Sequence, residues 1–244
     1  MSGSALAGLA LSAAGALLVL ATRQGTVRGA AAGFVVSAVI VTGLGVGAFA
    51  PLAVFVLGSG ALTRLGAGAK RARGLEEANR GRRGAAHVAA KLVLPAACGA
   101  LGLLHAGAPD ALSLVFTAAV AGAFADTAGT EVGPLAGGRV LVLDRGWPVM
   151  APHGAPGGVS LAGVAASAVA AIAVAGAALG AGVLAGWRAA AAAAAAGVVG
   201  SLAESVLART GPGAWLGHHG RNGAVSVFSA AGALLARAAG WVRA

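Results

Sequence analysis

Apolar residues run along this chain in long blocks, and short links carrying arginine, glycine and proline separate them. A helix that crosses a bilayer needs about 20 mostly apolar residues. Eight blocks meet that length within a few residues: 4–22, 29–45, 47–63, 85–106, 111–126, 158–180, 188–208 and 223–240. The first has no Lys or Arg ahead of it and ends in Ala21, Thr22 and Arg23, so it reads as a span and not as a cleaved signal peptide. Blocks two and three abut through Gly43, Gly45, Gly47 and Pro51. Together they are too long for one crossing, which predicts a tight helical hairpin.

Composition narrows the class. Hydrophobic residues make up 58% of the 244 positions and charged residues 10%, against about a quarter charged in an average soluble domain. The 42 glycines do not recur every third residue, which excludes collagen, and the hydrophobicity is too high for a disordered chain. Abundant Gly and Ala suit helices that pack backbone to backbone in lipid. The expectation is one integral-membrane domain over 1–244, an all-α polytopic bundle of about eight spans. Its lone Cys98 excludes an internal disulfide.

The net charge of +10 would point to nucleic acid in a soluble chain; here the membrane surface is the partner it predicts, and no nucleic acid. Arg64, Lys70, Arg71, Arg73, Arg80, Arg82 and Arg83 crowd into a basic loop at 64–84. With the N-terminus outside, that loop shares the cytoplasmic side with Arg23 and Arg28, Arg139 and Arg145, and Arg209 and Arg221. Thirteen of the 17 cations then lie inside, as expected for a multi-pass protein of a bacterial cytoplasmic membrane.

The seven acids can be weighed one by one. Glu76 and Glu77 read as counterions of the basic loop, and Asp110 and Asp144 lie in links. Asp126, Glu131 and Glu204 sit at or within apolar spans, where an ionisable group is costly and points to function or to a buried ion pair. By the span order all three fall near the cytoplasmic side, at one depth. Carboxylates so placed are the oxygen ligands that magnesium takes. Arg83, His87 and Lys91, four residues apart, share one helix face with Arg82 just ahead. That face is either a wall for phosphates or a stripe facing lipid headgroups. Gly157 and Gly158 lead into Ser160 at the start of block six, where backbone N–H groups at a helix N-terminus favour anions.

Other motifs are missing. No G-x-x-x-x-G-K-[ST] and no G-x-S-x-G occur, and Gly58 to Thr63 lacks the last glycine of G-x-G-x-x-G. His218 and His219 read as a loop pair, because no acid or Cys stands near them in sequence.

Five segments occur in an order that resembles one membrane family: Gly58-Ser59-Gly60-Ala61-Leu62-Thr63-Arg64, Gly81-Arg82-Arg83, Asp126-Thr127-Ala128-Gly129-Thr130-Glu131-Val132-Gly133, Gly157-Gly158-Val159-Ser160 and Gly200-Ser201-Leu202-Ala203-Glu204-Ser205. It is the integral-membrane family that includes plant phytyl-phosphate kinase and animal transmembrane protein 19, and the resemblance runs over about 29–240. It implies a kinase that moves a phosphoryl group from a nucleoside triphosphate, CTP or another, to an isoprenyl monophosphate. In that role Asp126, Glu131 and Glu204 would hold Mg2+, and Arg82, Arg83 and Lys91 would neutralise phosphate oxygens. Gly157, Gly158, Ser160 and Asn222 would complete the nucleotide site.

The chain also departs from that pattern. His87 and Lys91 stand where the family usually has glutamine and asparagine, and Gly154-Ala155-Pro156 replaces glycine-threonine-asparagine. Glu204 replaces an aspartate, while Asn222-Gly223 and Val225-Ser226 replace an asparagine-acid pair and a valine-asparagine. A non-catalytic relative of the kinase is therefore one alternative. A small transporter is the other, though no internal repeat is evident and the charge gathers at one face instead of the midplane.

Overall fold

The structure is a computed structural model; it describes residues 3–72, 82–105, 109–144, 146–152, 155 and 157–242. Arg73, Glu76, Glu77, Arg80, Gly81, Gly107, Arg145, His153, Gly154 and Pro156 lie outside the described residues. The helices are α1 (Gly3–Ala21), α2 (Val27–Leu44), α3 (Phe49–Arg64), α4 (Ala67–Ala72), α5 (Ala85–Leu104), α6 (Asp110–Val132), α7 (Leu161–Gly180), α8 (Trp187–Leu207) and α9 (Gly211–Ala238). Short 3-10 turns precede α3 at Val46–Ala48 and follow α6 at Gly133–Ala136.

A long helix thus stands on each of the eight apolar blocks. Six are long and apolar enough to cross a membrane: those within 27–44, 46–64, 85–104, 110–136, 161–180 and 187–207. The expectation of eight crossings is reduced accordingly. The apolar part of α1, Ala5–Ala21, is short. α9 has 28 residues, but its first half holds His218, His219, Arg221 and Asn222, and Gly217 breaks it with a left-handed φ of 62°.

Starts are set by local chemistry. Thr26, Ser160 and Thr210 each accept a hydrogen bond from the backbone N–H three residues on, at 3.0, 3.1 and 3.1 Å. They satisfy donors that every helix leaves unpaired at its N-terminus.

Packing follows the small residues. α6 is buried along most of its length and touches α3, α5, α7, α8 and α9. A methyl added at Gly43 of α2 would run into the carbonyl of Gly99 on α5, and one at Gly102 into that of Gly43. Such backbone approach is how helices associate in lipid, where apolar burial between helices gives no advantage over lipid tails. Blocks two and three are two spans joined by a tight turn at Gly45, φ 92°, as expected. The two helices touch only lightly, since α2 packs mainly on α1 and α5, and α3 mainly on α6 and α7.

One departure from an all-helical chain is the antiparallel hairpin β1 (Arg139–Asp144) and β2 (Trp147–Pro152), paired from Arg139↔Pro152 to Asp144↔Trp147. Val140 and Val142 point inward, and Leu141 between them is exposed. That period-2 alternation is the signature of a half-buried strand. The hairpin is tied into the bundle by Leu141 pairing with Val159, and by the Arg209 guanidinium donating to the Leu143 carbonyl at 3.1 Å.

The cation-bearing links gather at one end. Arg83 bridges to Gly25 in the α1–α2 link, Arg64 donates to the Thr22 carbonyl, and Arg209 meets the hairpin.

Candidate functional site

α6 brings two of the intramembrane acids onto one helix. Block five was expected to stop at 126, yet α6 continues to Val132, so Asp126 and Glu131 lie within about a turn and a half of each other. The Thr127 and Thr130 hydroxyls donate back to the carbonyls of Ala123 and Asp126, at 3.0 and 2.9 Å, so neither hydroxyl is left unpaired in this buried stretch.

Each acid has its own cation. Lys91 of α5 donates to Asp126 Oδ2 at 2.7 Å, to Thr127 Oγ1 at 2.9 Å and to the Ala123 carbonyl at 3.1 Å. That uses all three ammonium protons, with the lysine 3% and the aspartate 8% exposed. Glu131 pairs with Lys70, which comes in from α4 and also donates to the carbonyls of Leu62 and Thr63 at the end of α3. The Thr63 hydroxyl donates to Glu131 Oε1 at 2.6 Å. Lys70 is 4% exposed, so this member of the basic loop is an internal cation. Glu204 of α8 accepts from Arg221 Nε at 3.0 Å.

These groups face a cavity of about 350 Å3. Lys91, Asp126, Glu131, Glu204, Gly157, Gly158, Ser160 and Asn222, eight of the residues singled out in the sequence, all line it. Gly157 needs its left-handed φ of 69°, and a methyl there would strike the Ser205 carbonyl. Two candidates fall elsewhere. Arg82 is exposed and donates to the Gly25 carbonyl at 3.3 Å, and Arg83 lines a neighbouring cleft, with its guanidinium on Thr63 Oγ1 at 3.3 Å.

Sequence reasoning missed Thr127, Ser205, His218 and Arg221, which also line the cavity. The reading of His218 and His219 as a loop pair is corrected. Both lie on α9, and His218 Nε2 is 3.2 Å from the Asn222 amide. The signal was the i, i+4 spacing of His218 and Asn222 after the Gly217 break. Burial, followed by the neighbouring His219 and Lys91, holds the His218 imidazole pKa below its ordinary value.

The three carboxylates expected to share a metal ion do not converge on one point. Among the described residues, no three of His, Cys, Asp and Glu are close enough to share an ion. The acids expected as ligands are each taken by a cation.

Beside the cavity lies an apolar cleft of about 260 Å3 between α1, α2, α3 and α5. His87 and Lys91 line both spaces and form the wall between them.

Residues 6–216 match the model of the family described as integral membrane protein DUF92. The match covers most of the chain, which therefore belongs to that family, the one that includes the phytyl-phosphate kinase and transmembrane protein 19 members. No curated protein and no solved structure matches the chain.

Proposed function

We propose that this protein is a membrane kinase that transfers the terminal phosphoryl group of a nucleoside triphosphate to an isoprenyl monophosphate. The observation that carries this reading is the common wall: a polar cavity and an apolar cleft meet at His87 and Lys91. A phosphate monoester on an apolar chain has the same division.

In the reaction, an oxygen of the acceptor phosphate attacks the γ-phosphorus of the donor. The new P–O bond forms as the bond from phosphorus to the bridging oxygen breaks, and the nucleoside diphosphate leaves with that electron pair. Such transfer depends on positioning and on stabilising charge more than on covalent help. Lys91 and Arg221 are the cations on the cavity wall for it. The α7 N-terminus beside Gly157, Gly158 and Ser160 supplies the oriented N–H groups. The cation-rich end of the bundle would face the cytoplasm, where nucleotides are found.

The paired state of every cavity carboxylate favours a second reading, a non-catalytic relative whose polar cluster holds α5, α6, α8 and α9 together. The test is purified protein in nanodiscs with farnesyl, geranylgeranyl or phytyl monophosphate and γ-labelled CTP, ATP, GTP or UTP. A labelled prenyl diphosphate is expected. If no pair gives product and no nucleotide binds, the second reading replaces the first.

A further inference from the structure

Buried polar atoms normally find a hydrogen-bond partner, and an exception needs a reason. Among the described residues, three of the few exceptions line the apolar cleft: Gln24 Oε1, Ser59 Oγ and His87 Nε2. They belong to one end of it. The Gln24 main-chain carbonyl accepts from the Arg83 N–H at 3.0 Å, and His87 lies in the first turn of α5, just after Arg83 and the N-cap Gly84. Ser59 lies one turn before Thr63, which accepts from the Arg83 side chain. The rest of the lining is aliphatic or small, including Leu11, Leu18, Val36 and Leu52. Leu11 and Leu18 are also exposed on the outside of the bundle, so the cleft reaches its lipid-facing surface.

Gly33 of α2 gives the cleft part of its room. A Cβ built there meets nothing within 4 Å, unlike Gly29, whose added methyl would strike the Arg83 carbonyl. An apolar cavity of about 150 Å3 takes up benzene. By that measure, about 260 Å3 holds on the order of ten carbons.

We infer that this cleft is the acceptor seat: the isoprenyl chain lies along α1 and α2 past Gly33, and its monophosphate head meets Ser59, His87 and Arg83 beside Lys91. The inference deepens the kinase reading and rests on it for the identity of the chain. Arg83 supplies positive charge, while Ser59 offers a hydroxyl donor that has no acceptor among the described residues. The head then stands at the wall shared with the polar cavity, where a phosphoryl donor would wait.

The experiment is photo-crosslinking of the full chain in nanodiscs with farnesyl monophosphate bearing a diazirine at its tail, followed by peptide mapping. Label is expected on α1, α2 or α3, and geranylgeranyl monophosphate should displace it. Geranylgeraniol, inorganic phosphate and lysophosphatidate should each fail to do so at the same concentration. Gly33→Phe should cut the labelling at least tenfold and raise KM for farnesyl monophosphate with little change in kcat.

Mapping on the unaltered chain keeps the test decisive if Gly33→Phe does not fold. Cleft label without any diphosphate product would sink the kinase and leave the seat standing. Diphosphate product with label on α7 to α9, or displacement by the alcohol or by lysophosphatidate, would overturn the seat and leave the kinase.

Discussion

Lys91 on α5 and Asp126 on α6 meet at 2.7 Å inside the bundle, and the lysine spends its other two protons on Thr127 and the Ala123 carbonyl. The pair fixes how α5 sits on the central helix. It also makes each partner dangerous to remove alone.

Breaking a buried ion pair from one side costs about 3–5 kcal/mol, because a lone charge is left out of water. Asp126→Asn and Lys91→Met are each expected to lower stability in detergent by about that amount. The double variant Lys91→Met with Asp126→Leu should recover most of the loss and still show no phosphoryl transfer. Thermal unfolding and a transfer assay on all three separate the structural cost from the chemical one.

Lys70 holds α4 against α3 and α6 through Glu131 and the carbonyls of Leu62 and Thr63. Lys70→Met removes that anchor. Trypsin cleavage after Arg71, followed by mass spectrometry, should become at least ten times faster while the rest of the chain stays intact.

Gly157 adopts φ 69° against the Ser205 carbonyl. An alanine there costs roughly 1–2 kcal/mol for the left-handed backbone, and the methyl clash adds to it. Gly157→Ala is therefore expected to weaken nucleotide binding at least tenfold by fluorescence titration. Gly182→Ala, at a similar φ of 72° with open space around the methyl, is its control for backbone strain alone.

With its acids already paired, the protein by itself should bind no magnesium at submillimolar concentration in isothermal calorimetry. Heat that saturates at one ion per chain, without nucleotide, would contradict the geometry described for Asp126, Glu131 and Glu204.

Much of this was legible in the chain. The long helices stand on the eight apolar blocks because block length is a property of the bilayer, and the acids inside them stood out because lipid tolerates so few. The ends were harder. α6 runs past Asp126 because the polar groups of Thr127, Thr130 and Glu131 all find partners inside the bundle, which hydropathy does not register. α9 begins at Gly211, where Thr210 caps and Pro212 suits a first turn, but its polar residues read as a link. β1 and β2 were hidden because Val140, Leu141, Val142 and Leu143 are all apolar, so the in-and-out alternation shows in burial and not in residue type. Which cation meets which acid was not legible at all. Lys70 and Glu131, or Arg221 and Glu204, are joined only by the way distant helices pack.

The exposed Leu11 and Leu18 at the rim of the cleft bear on how a lipid would reach it. Moving an apolar chain from membrane to water costs about 0.8 kcal/mol for each methylene. Some ten carbons would therefore face a barrier of about 8 kcal/mol if they had to leave the bilayer before entering the protein. For the acceptor proposed above, an opening on the side of the bundle would remove that step, since the chain would slide from lipid to leucine without meeting water. Encounter would then be a two-dimensional search, its rate set by the amount of ligand per area of membrane instead of its vanishing concentration in solution.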